Sequence, residues 1–323
     1  MPYVIGIDGG GTKTTCVFQK VEEYDPFLKP QREVNIGEGT NPLSVGFEQM
    51  TDRLHQLVQY GLEAQGILPG DVVGLCAGIA GTRLEANRLM VEHELKQLGQ
   101  QLHLHPDAFY EVKSDLYVAL RGAMQPADKE GILVICGTGS NAIGVSQAGH
   151  LIYNGGWGHI LGDEGSGYSI GLQALKAVCK AYDRREYPTE LTGMVLDALK
   201  LASEQELIHY IYREGKSKKE IASLARLVIE ASTHSDRVAV AILSEAGDEL
   251  VELVRGLMRK SASLHEAIPV TVAGSIFTYS DIIKNRFVEG LSVHRAGQYQ
   301  PPYADPVEGA IKVAMEAISK PTI

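Results

Sequence analysis

The first part of the chain carries its apolar residues in three short runs, separated by glycine-rich or proline-containing segments. The runs are Tyr3 to Ile7, Thr14 to Phe18 and Arg32 to Ile36. Short apolar runs bounded by turn residues are typical of strands, so this part predicts an antiparallel meander. The segment at about 43–65 predicts a helix with one buried face, because its apolar side chains recur at helical spacing. They are Phe47, Met50, Leu54, Leu57 and Val58.

Strand and helix patterns alternate through the rest of the first half. We predict a strand at 72–80, a polar helix near 83–99, a strand at 109–112 and a helix from Asp115. Three strands followed by alternating helices and strands is the order of an RNase H-like domain, in which helices flank a mixed sheet.

The second half repeats the pattern with which the chain begins. Residues 132–145 resemble residues 3–18, since each segment is a strand, a glycine-rich turn with Thr or Ser, and a second strand. A third strand follows at Leu151 to Asn154, then a largely helical stretch, and a strand at 269–275 resumes the sheet. We therefore expect an α/β fold of two RNase H-like domains with mixed βββαβα sheets, flanking helices and a cleft between the domains.

The repeat also predicts the domain boundaries. Residues 1–118 form the expected N-terminal domain, which the C-terminal helix at 306–323 completes. Residues 119–305 form the expected C-terminal domain, with a helical insertion at about 185–265.

Composition narrows the class of protein. Apolar residues make up 44% of the chain and charged residues 22%, which is typical of a globular protein. The net charge of −10 disfavours a nucleic-acid partner, and no apolar run is long enough to predict a membrane helix. The sequence MPYVIGIDGGG shows no secretory signal, so we expect a cytoplasmic protein. The four cysteines are scattered, which favours reduced thiols.

Two glycine-rich turns are candidate phosphate sites. The first turn, residues 8–14 (DGGGTKT), offers backbone N–H groups, hydroxyls and the Asp8 carboxylate. It is not a Walker A loop, because Thr12 stands where the lysine is required and a strand follows instead of a helix. An ordinary glycine hairpin is the alternative. The second turn, residues 137–140 (GTGS), matches the first, so the two turns together suggest a clamp for a nucleotide's phosphate chain.

Two further features suggest a ligand site. The glycine loop, residues 155–167, contains the only Trp of the chain, and so many glycines are entropically costly unless the backbone approaches a ligand. The alternative is a structural Ω-loop. Asp115 stands where a strand ends and a helix begins, so it is either an N-cap or a carboxylate that accepts a hydroxyl proton, as in kinases.

Ordered motifs across nearly the whole chain resemble those of the N-acetylglucosamine kinases in the BadF/BadG/BcrA/BcrD ATPase family, part of the sugar kinase, heat-shock protein and actin superfamily. The motifs are GIDGGGTKT (6–14), EGTNPLSVG (38–46), AGIAGTR (77–83), SDLYVAL (114–120), CGTGSNAIG (136–144), GGWGHILGDEGSGYSIG (155–171), AGSIF (273–277) and PVEGA (306–310). The resemblance implies an actin-like ATPase fold, ATP and Mg²⁺ as cofactors, a homodimer, and ATP-dependent phosphorylation of the 6-hydroxyl of N-acetylglucosamine or a close amino sugar.

The resemblance also implies roles for individual residues. Asp115 is the expected catalytic base, and Asp8 the expected Mg²⁺ residue, acting through water. The residues expected to line the sugar pocket are Asn41, Ser140, Asn141, Gly156, Trp157, Gly158 and Asp163. Those expected to contact the nucleotide are Gly11, Thr12, Gly137, Thr138, Gly274 and Ser275. For Asp163 there is an alternative, which is to cap the helix that begins near Ser166.

Other functions remain open at this point. Glucosamine and N-acetylmuramic acid are the nearest alternative substrates. A dehydratase-activator ATPase needs cysteine ligands for an iron–sulfur cluster, and Cys136 and Cys179 do not stand in such a pattern. A nucleotide-driven interaction protein like actin or Hsp70 would share the two turns without needing Asn41, Trp157 and Asp163 together.

Overall fold

Two five-stranded sheets organise the chain, one in each of two units. The computed structural model describes residues 1–28, 32–212 and 215–319. The first unit contains residues 1–128 and the chain from Pro302 onward, and the second contains residues 129–301. Among the helices of these described ranges, none has the length and apolar character needed to cross a bilayer.

The first unit is built on a mixed sheet with the order β3-β2-β1-β4-β5. Its strands are β1 (Tyr3–Gly9), β2 (Lys13–Lys20), β3 (Asn35–Glu38), β4 (Val72–Ile79) and β5 (Phe109–Ser114), and its helices are α1 (Pro42–Val45), α2 (Phe47–Gln65), α3 (Glu85–Gln101), α4 (Asp115–Ala123) and α13 (Pro306–Ile318). Strands β1, β2 and β3 are antiparallel, and β4 and β5 continue the sheet parallel to β1. The predicted meander is therefore confirmed.

Both faces of the first sheet are covered. Side chains alternate along β1, so Ile5 and Ile7 join the apolar cluster beneath α2 and α3, while Val4 joins the cluster beneath α13. The helix predicted at 43–65 is divided at Gly46, whose backbone φ of +83° ends α1 before α2 begins.

The second unit repeats the topology of the first, with the sheet order β10-β9-β6-β7-β8. Its strands are β6 (Gly131–Cys136), β7 (Ser140–Val145), β8 (Leu151–Gly155), β9 (Pro269–Ala273) and β10 (Gln298–Tyr299), and its helices are α5 (Gly167–Tyr182), α6 (Leu191–Leu199), α7 (Glu206–Tyr212), α8 (Lys218–Ser223), α9 (Ala225–Thr233), α10 (Arg237–Lys260), α11 (Ser275–Tyr279) and α12 (Asp281–Val293). Strand directions match those of the first unit pair by pair. The internal repeat is therefore present in the fold.

The domain boundaries differ from those predicted. A boundary at residue 118 would cut α4, which lies entirely in the first unit; that unit runs to Asp128, and the second ends at Pro301. The reason is the packing of α4 against α13. A Cβ added to Gly309 of α13 would lie only 1.9 Å from the Val118 carbonyl oxygen of α4. The end of the C-terminal segment predicted as helix, residues 320–323, lies outside the described residues, as do 213–214 of the predicted insertion.

The contact between α4 and α13 gives a stability prediction. Gly309→Ala should lower the free energy of unfolding by about 1–3 kcal/mol, because the new methyl group forces two helix backbones apart. The control is Gly193→Ala in α6, where an added Cβ meets nothing within 4 Å. That substitution should raise the free energy of unfolding by up to about 1 kcal/mol through helix propensity. Urea denaturation of both variants measures the effect, and equal stability of the two would contradict the packing argument.

Candidate active site

Neighbouring backbone supports the first turn on one side, and the other side of the turn is open. The Gly10 amide donates to the Lys13 carbonyl at 3.0 Å, and the Thr40 amide donates to the Gly10 carbonyl at 3.0 Å. The chain after β3 passes so close that a Cβ on Gly39 would lie 2.5 Å from the Gly11 carbonyl oxygen. In contrast, a Cβ on Gly11 would meet nothing within 4 Å. The open side of this turn therefore has room for a ligand.

Two buried threonines fix the first turn to the end of β3. The hydroxyl oxygens of Thr14 and Thr40 lie 2.9 Å apart, and the Thr14 hydroxyl donates to the Glu38 carbonyl at 2.7 Å. Both threonines are fully buried. The sequence suggested the hydroxyls of this turn as phosphate ligands, but the Thr14 hydroxyl is directed at Thr40 and the Glu38 carbonyl instead. Thr14 and Thr40 meet only through the pairing of β2 with β3, which the sequence pattern does not encode.

Asp8 and Asp115 lie at one edge of the first sheet. Strands β1, β4 and β5 are parallel, so their carboxyl ends share this edge. Asp8 of β1 pairs with Gly78 of β4, and Gly78 pairs in turn with Lys113 of β5. Asp115 follows two residues after Lys113, as the first residue of α4. The sheet therefore brings together two carboxylates that are far apart in sequence.

Asp115 is not the N-cap of α4. The Ser114 hydroxyl accepts a hydrogen bond from the Tyr117 amide at 3.2 Å and so fills the capping position. Asp115 Oδ1 accepts from the Leu116 amide at 2.9 Å. The capping alternative is therefore wrong.

Both carboxyls are harder to ionise than in water. Burial and then repulsion by Asp115 raise the pKa of Asp8 from 3.8 to about 6; Asp305 adds to this effect and Lys13 opposes it. Burial likewise raises the pKa of Asp115, although hydrogen bonds from the Leu116 amide and from its own amide partly oppose that shift. A cation at this edge would favour the ionised form of both groups.

The donor set at this edge fits Mg²⁺. Magnesium takes oxygen ligands and is usually held by one or two carboxylates together with water and substrate phosphates. Within the part of the chain that the structure describes, no group of three or more His, Cys, Asp or Glu side chains could hold a metal by itself. A magnesium ion here would therefore rely on Asp8, water and the phosphates of a ligand.

Asn41 begins α1 near the first turn. Its Oδ1 accepts a hydrogen bond from the Leu43 amide at 3.0 Å, which makes it the cap of this short helix. Among the described residues, no acceptor takes a hydrogen bond from its Nδ2. The cap therefore fixes the side chain and leaves an amide donor for a ligand.

The second turn is bonded to the start of α5. The Gly137 amide donates to the Gly139 carbonyl at 2.9 Å, and the Gly167 and Tyr168 amides donate to the Gly137 and Thr138 carbonyls at 2.8 and 3.2 Å. A Cβ on Gly137 would meet nothing within 4 Å. Like the first turn, the second is supported by neighbouring backbone and open on one side.

Gly274 brings the end of β9 against the second turn. A Cβ at this position would lie 2.2 Å from the Cys136 carbonyl oxygen, and the backbone φ is +104°, so a side chain is excluded on both grounds. Ser275, the next residue, begins α11. Gly274 and Ser275, which are expected beside the adenosine, therefore lie next to the second turn, which is expected at the phosphates.

Asp163 is the most constrained residue of the glycine loop. It is only 4% exposed and has a left-handed backbone φ of +64°. Its Oδ1 accepts from the Ser140 amide at 3.1 Å, and its Oδ2 accepts from Lys218 Nζ at 2.5 Å. The cap of α5 is Ser166, whose hydroxyl accepts from the Ser169 amide, so the capping alternative for Asp163 is also wrong.

Other residues expected in the sugar pocket surround this carboxylate. The Ser140 hydroxyl donates to the Glu164 carbonyl at 2.6 Å, and the Gly156 amide donates to the Ser140 carbonyl at 3.3 Å. Asn141 Oδ1 is buried and accepts no hydrogen bond within the described ranges. Because buried polar atoms normally have partners, this oxygen favours a ligand that donates a hydrogen bond.

Trp157 and Gly158 lie farther out on the glycine loop. The Trp157 side chain is 68% exposed. The Trp157 ring is therefore available to a ligand but is not part of the buried network around Asp163.

Lys218 is the main residue that sequence reasoning missed. It lies in α8, within the stretch read only as helical. A capping box begins this helix, because the Ser217 hydroxyl accepts from the Glu220 amide while Glu220 Oε2 accepts from the Ser217 amide. That motif could have predicted where α8 starts, but nothing in the sequence predicts the pairing with Asp163.

The chain is similar to known proteins along nearly its whole length. The family model described as the BadF/BadG/BcrA/BcrD ATPase family matches residues 5–314. The chain is 37% identical to the N-acetylmuramic acid/N-acetylglucosamine kinase of Clostridium acetobutylicum over 91% of this chain and 92% of that protein. It is 29% identical to the N-acetyl-D-glucosamine kinase of Dictyostelium discoideum, over 97% and 98% of the two chains. The crystal structure of a candidate N-acetylglucosamine kinase from Chromobacterium violaceum matches with a TM-score of 0.74 at 24% identity and covers 97% of this chain and 99% of that chain, so the two share a fold.

The raised pKa of Asp8 predicts how stability depends on pH. The folded state binds more protons than the unfolded state between about pH 4 and 6, so ionisation of Asp8 lowers stability as pH rises through this window. In the absence of magnesium and nucleotide, Asp8→Asn should therefore raise the free energy of unfolding at pH 7.5 by about 1–3 kcal/mol. The gain should vanish below about pH 4, where the wild-type carboxyl is protonated in both states.

Denaturation curves at several pH values measure this difference. The exposed Asp107 provides the control, because Asp107→Asn also removes one carboxylate but relieves no buried charge. A gain for Asp8→Asn that is independent of pH would contradict the explanation.

Proposed function

The chain belongs to the BadF/BadG/BcrA/BcrD ATPase family, and on that premise we propose that it transfers the terminal phosphoryl group of ATP to the 6-hydroxyl of N-acetylglucosamine or a close amino sugar. The single observation that supports this chemistry best is the pair of desolvated carboxylates, Asp8 and Asp115, at the edge of the first sheet. Both curated relatives described above are kinases of N-acetylated amino sugars.

Asp115 is the proposed base. The hydrogen bond from the Leu116 amide orients the carboxylate, and among the described residues no other side chain hydrogen-bonds to it, so we infer that it accepts the proton of the sugar hydroxyl. Burial raises its pKa toward the operating pH, which improves a general base. Phosphoryl transfer otherwise depends on positioning and charge neutralisation, and the rigid strand end supplies the positioning.

The remaining residues bind the two substrates. The Gly11, Thr12 and Thr138 amides are the proposed donors to phosphate oxygens. The Gly137 amide donates to the Gly139 carbonyl, so the proposed role of Gly137 is to let the phosphate chain approach a turn that carries no side chain there. Gly274 and Ser275 are the residues proposed beside the adenosine. Bound Mg²⁺, held through water by Asp8, would neutralise charge on the phosphates. Asn141 Oδ1 and Asp163 are the proposed acceptors for sugar hydroxyls. Among the described residues nothing donates a hydrogen bond to Asn141 Oδ1, and the buried Asp163 carboxyl accepts from the amide of the preceding residue, Ser140.

The activator-type ATPase has little support. Cys136 is fully buried, and its thiol donates to the Gly165 carbonyl at 3.3 Å. A cluster ligand needs a thiolate directed at iron, and this sulfur is directed at backbone instead.

A sugar panel tests the proposed function. ADP release is measured with ATP, Mg²⁺ and N-acetylglucosamine, N-acetylmuramic acid, glucosamine, glucose or no sugar. We expect release that depends on an amino sugar, with the phosphate on the 6-hydroxyl as determined by NMR of the product. Release that is equal with and without sugar would favour an interaction ATPase and would overturn the proposal.

Removal of the proposed base should abolish turnover. Asp115→Asn should lower kcat by about 10²-fold or more while leaving ATP binding nearly unchanged, because the proton acceptor is lost and the phosphate turns remain. Ser114→Ala is the matched control, since it removes the cap of α4 and should cost about 0.5–2 kcal/mol of stability while keeping most of the turnover. Near-normal turnover by the Asn variant would remove Asp115 from the catalytic role.

Loss of the Asp163 carboxylate should weaken the binding of the sugar. Asp163→Ala should raise the KM for the sugar about tenfold or more without raising the KM for ATP, since charge-assisted hydrogen bonds to hydroxyls contribute about 1.5–3 kcal/mol each. Steady-state kinetics with each substrate varied in turn measure the split, and a melting curve measures the cost of leaving Lys218 without its partner. An unchanged sugar KM in a destabilised variant would assign Asp163 a purely structural role.

A further inference from the structure

The ion pair of Lys218 and Asp163 lies directly against the second turn. Lys218 Nζ is 2.5 Å from Asp163 Oδ2. A Cβ placed on Gly139 would lie 2.7 Å from that Nζ and 2.8 Å from Asp163 Oδ1, so both charged groups contact the backbone of the turn. A single ammonium group therefore reaches both the proposed phosphate site and the proposed sugar acceptor.

The backbone around Lys218 is fixed relative to the second turn. Helix α8 packs so closely on α5 that a Cβ on Gly171 would lie 2.0 Å from the Ile221 carbonyl oxygen. The first residue of α5, Gly167, donates its amide to the Gly137 carbonyl of the turn. Any adjustment of the ammonium position must therefore come from the Lys218 side chain.

The two partners of the ion pair differ in mobility. Asp163 is buried, and its other oxygen is held by the Ser140 amide. Lys218 is 31% exposed, and its ammonium group is a compact charge at the end of a flexible stem. An added polyanion at the turn would therefore attract the lysine, while the carboxylate stays in place.

We propose that Lys218 exchanges the Asp163 carboxylate for the phosphate chain of the bound nucleotide, which leaves Asp163 Oδ2 free to accept a sugar hydroxyl. This inference rests on the proposed function, in which the second turn binds phosphate and Asp163 binds sugar. Lys218 is then a nucleotide-binding residue that also couples the two substrates. The consequence is reciprocal, because bound nucleotide tightens sugar binding by the same factor by which bound sugar tightens nucleotide binding.

The coupling can be measured by titration. Trp157, the only tryptophan, lies on the glycine loop and provides a fluorescence signal. The Kd for N-acetylglucosamine is measured without nucleotide and with saturating Mg²⁺ and a non-hydrolysable ATP analogue. For the wild type we expect a ratio of the two Kd values of about tenfold, within the usual range of coupling between sites. Lys218→Met should reduce the ratio to nearly one, and Lys218→Arg, which keeps the charge, should retain most of it.

A neighbouring lysine gives the matched control. Lys219 lies in the same helix and is exposed, so Lys219→Met removes an equal charge and should keep the wild-type ratio. If Lys218→Met folds poorly in a melting experiment, Lys218→Gln replaces it, since the amide can still donate to Asp163 but carries no charge to attract phosphate. The Gln variant should also give a ratio near one.

The outcomes separate the inference from the function on which it rests. If Lys218 only neutralises Asp163, replacing it would weaken sugar binding equally with and without nucleotide. An unchanged ratio of the two Kd values in Lys218→Met or Lys218→Gln therefore overturns the exchange. A wild-type ratio of one, together with normal sugar phosphorylation, also overturns it while leaving the proposed function intact. Failure of the wild type to phosphorylate any sugar of the panel rejects the proposed function itself.

Discussion

Backbone contact without intervening side chains is the constraint on which both glycine-rich turns depend. Gly39 lies against Gly11 in the first unit, and Gly274 lies against Cys136 in the second. At these two places a Cβ would lie only 2.5 and 2.2 Å from a backbone oxygen, so the neighbouring segment can support the turn only if it is glycine. These contacts hold the turns in shape while their open sides keep their amide groups available to a ligand.

Buried carboxyl groups are the second feature on which the candidate site depends, and the two units accommodate them in different ways. In the first unit burial raises the pKa of both Asp8 and Asp115, and the charge of Asp115 raises that of Asp8 further, while Lys13 offsets the effect on Asp8 only in part. In the second unit the buried carboxylate of Asp163 has a cationic partner, Lys218. The first arrangement favours binding of a cation, and the second pairs a buried carboxylate with an ammonium group inside a loop.

Local patterns in the sequence predicted most of the fold. The short apolar runs bounded by turn residues, the helical spacing of apolar residues in α2 and the repeated glycine-rich turn predicted two mixed sheets with flanking helices, whereas the order of the strands within each sheet came from the structure. Helix α12 was missed although Ile283, Phe287 and Leu291 recur every four residues, so its signal was present. The boundary after residue 118 was wrong because it depends on the crossing of α4 and α13, which no local pattern encodes.

The candidate site was less predictable than the fold. Motif resemblance selected Asp115 and Asp163 as functional candidates, but their competing capping roles could be rejected only when Ser114 and Ser166 were seen to cap α4 and α5. The left-handed backbone of Asp163 and its pairing with Lys218, 55 residues away, depend on tertiary packing. Such contacts arise from the approach of distant segments, so a single sequence contains no periodic signal for them.

The placement of α13 bears on how the chain folds during synthesis. Val4, Val17 and Cys76 of the first sheet pack against this helix, so one apolar face of the first unit stays uncovered until α13 leaves the ribosome. At about 5–20 residues per second, the roughly 190 residues between Asp128 and the end of α13 take on the order of 10–40 seconds to translate. The second unit has all its strands by Pro301 and can close its core before the first unit does. The N-terminal unit of this protein is therefore the last to be completed.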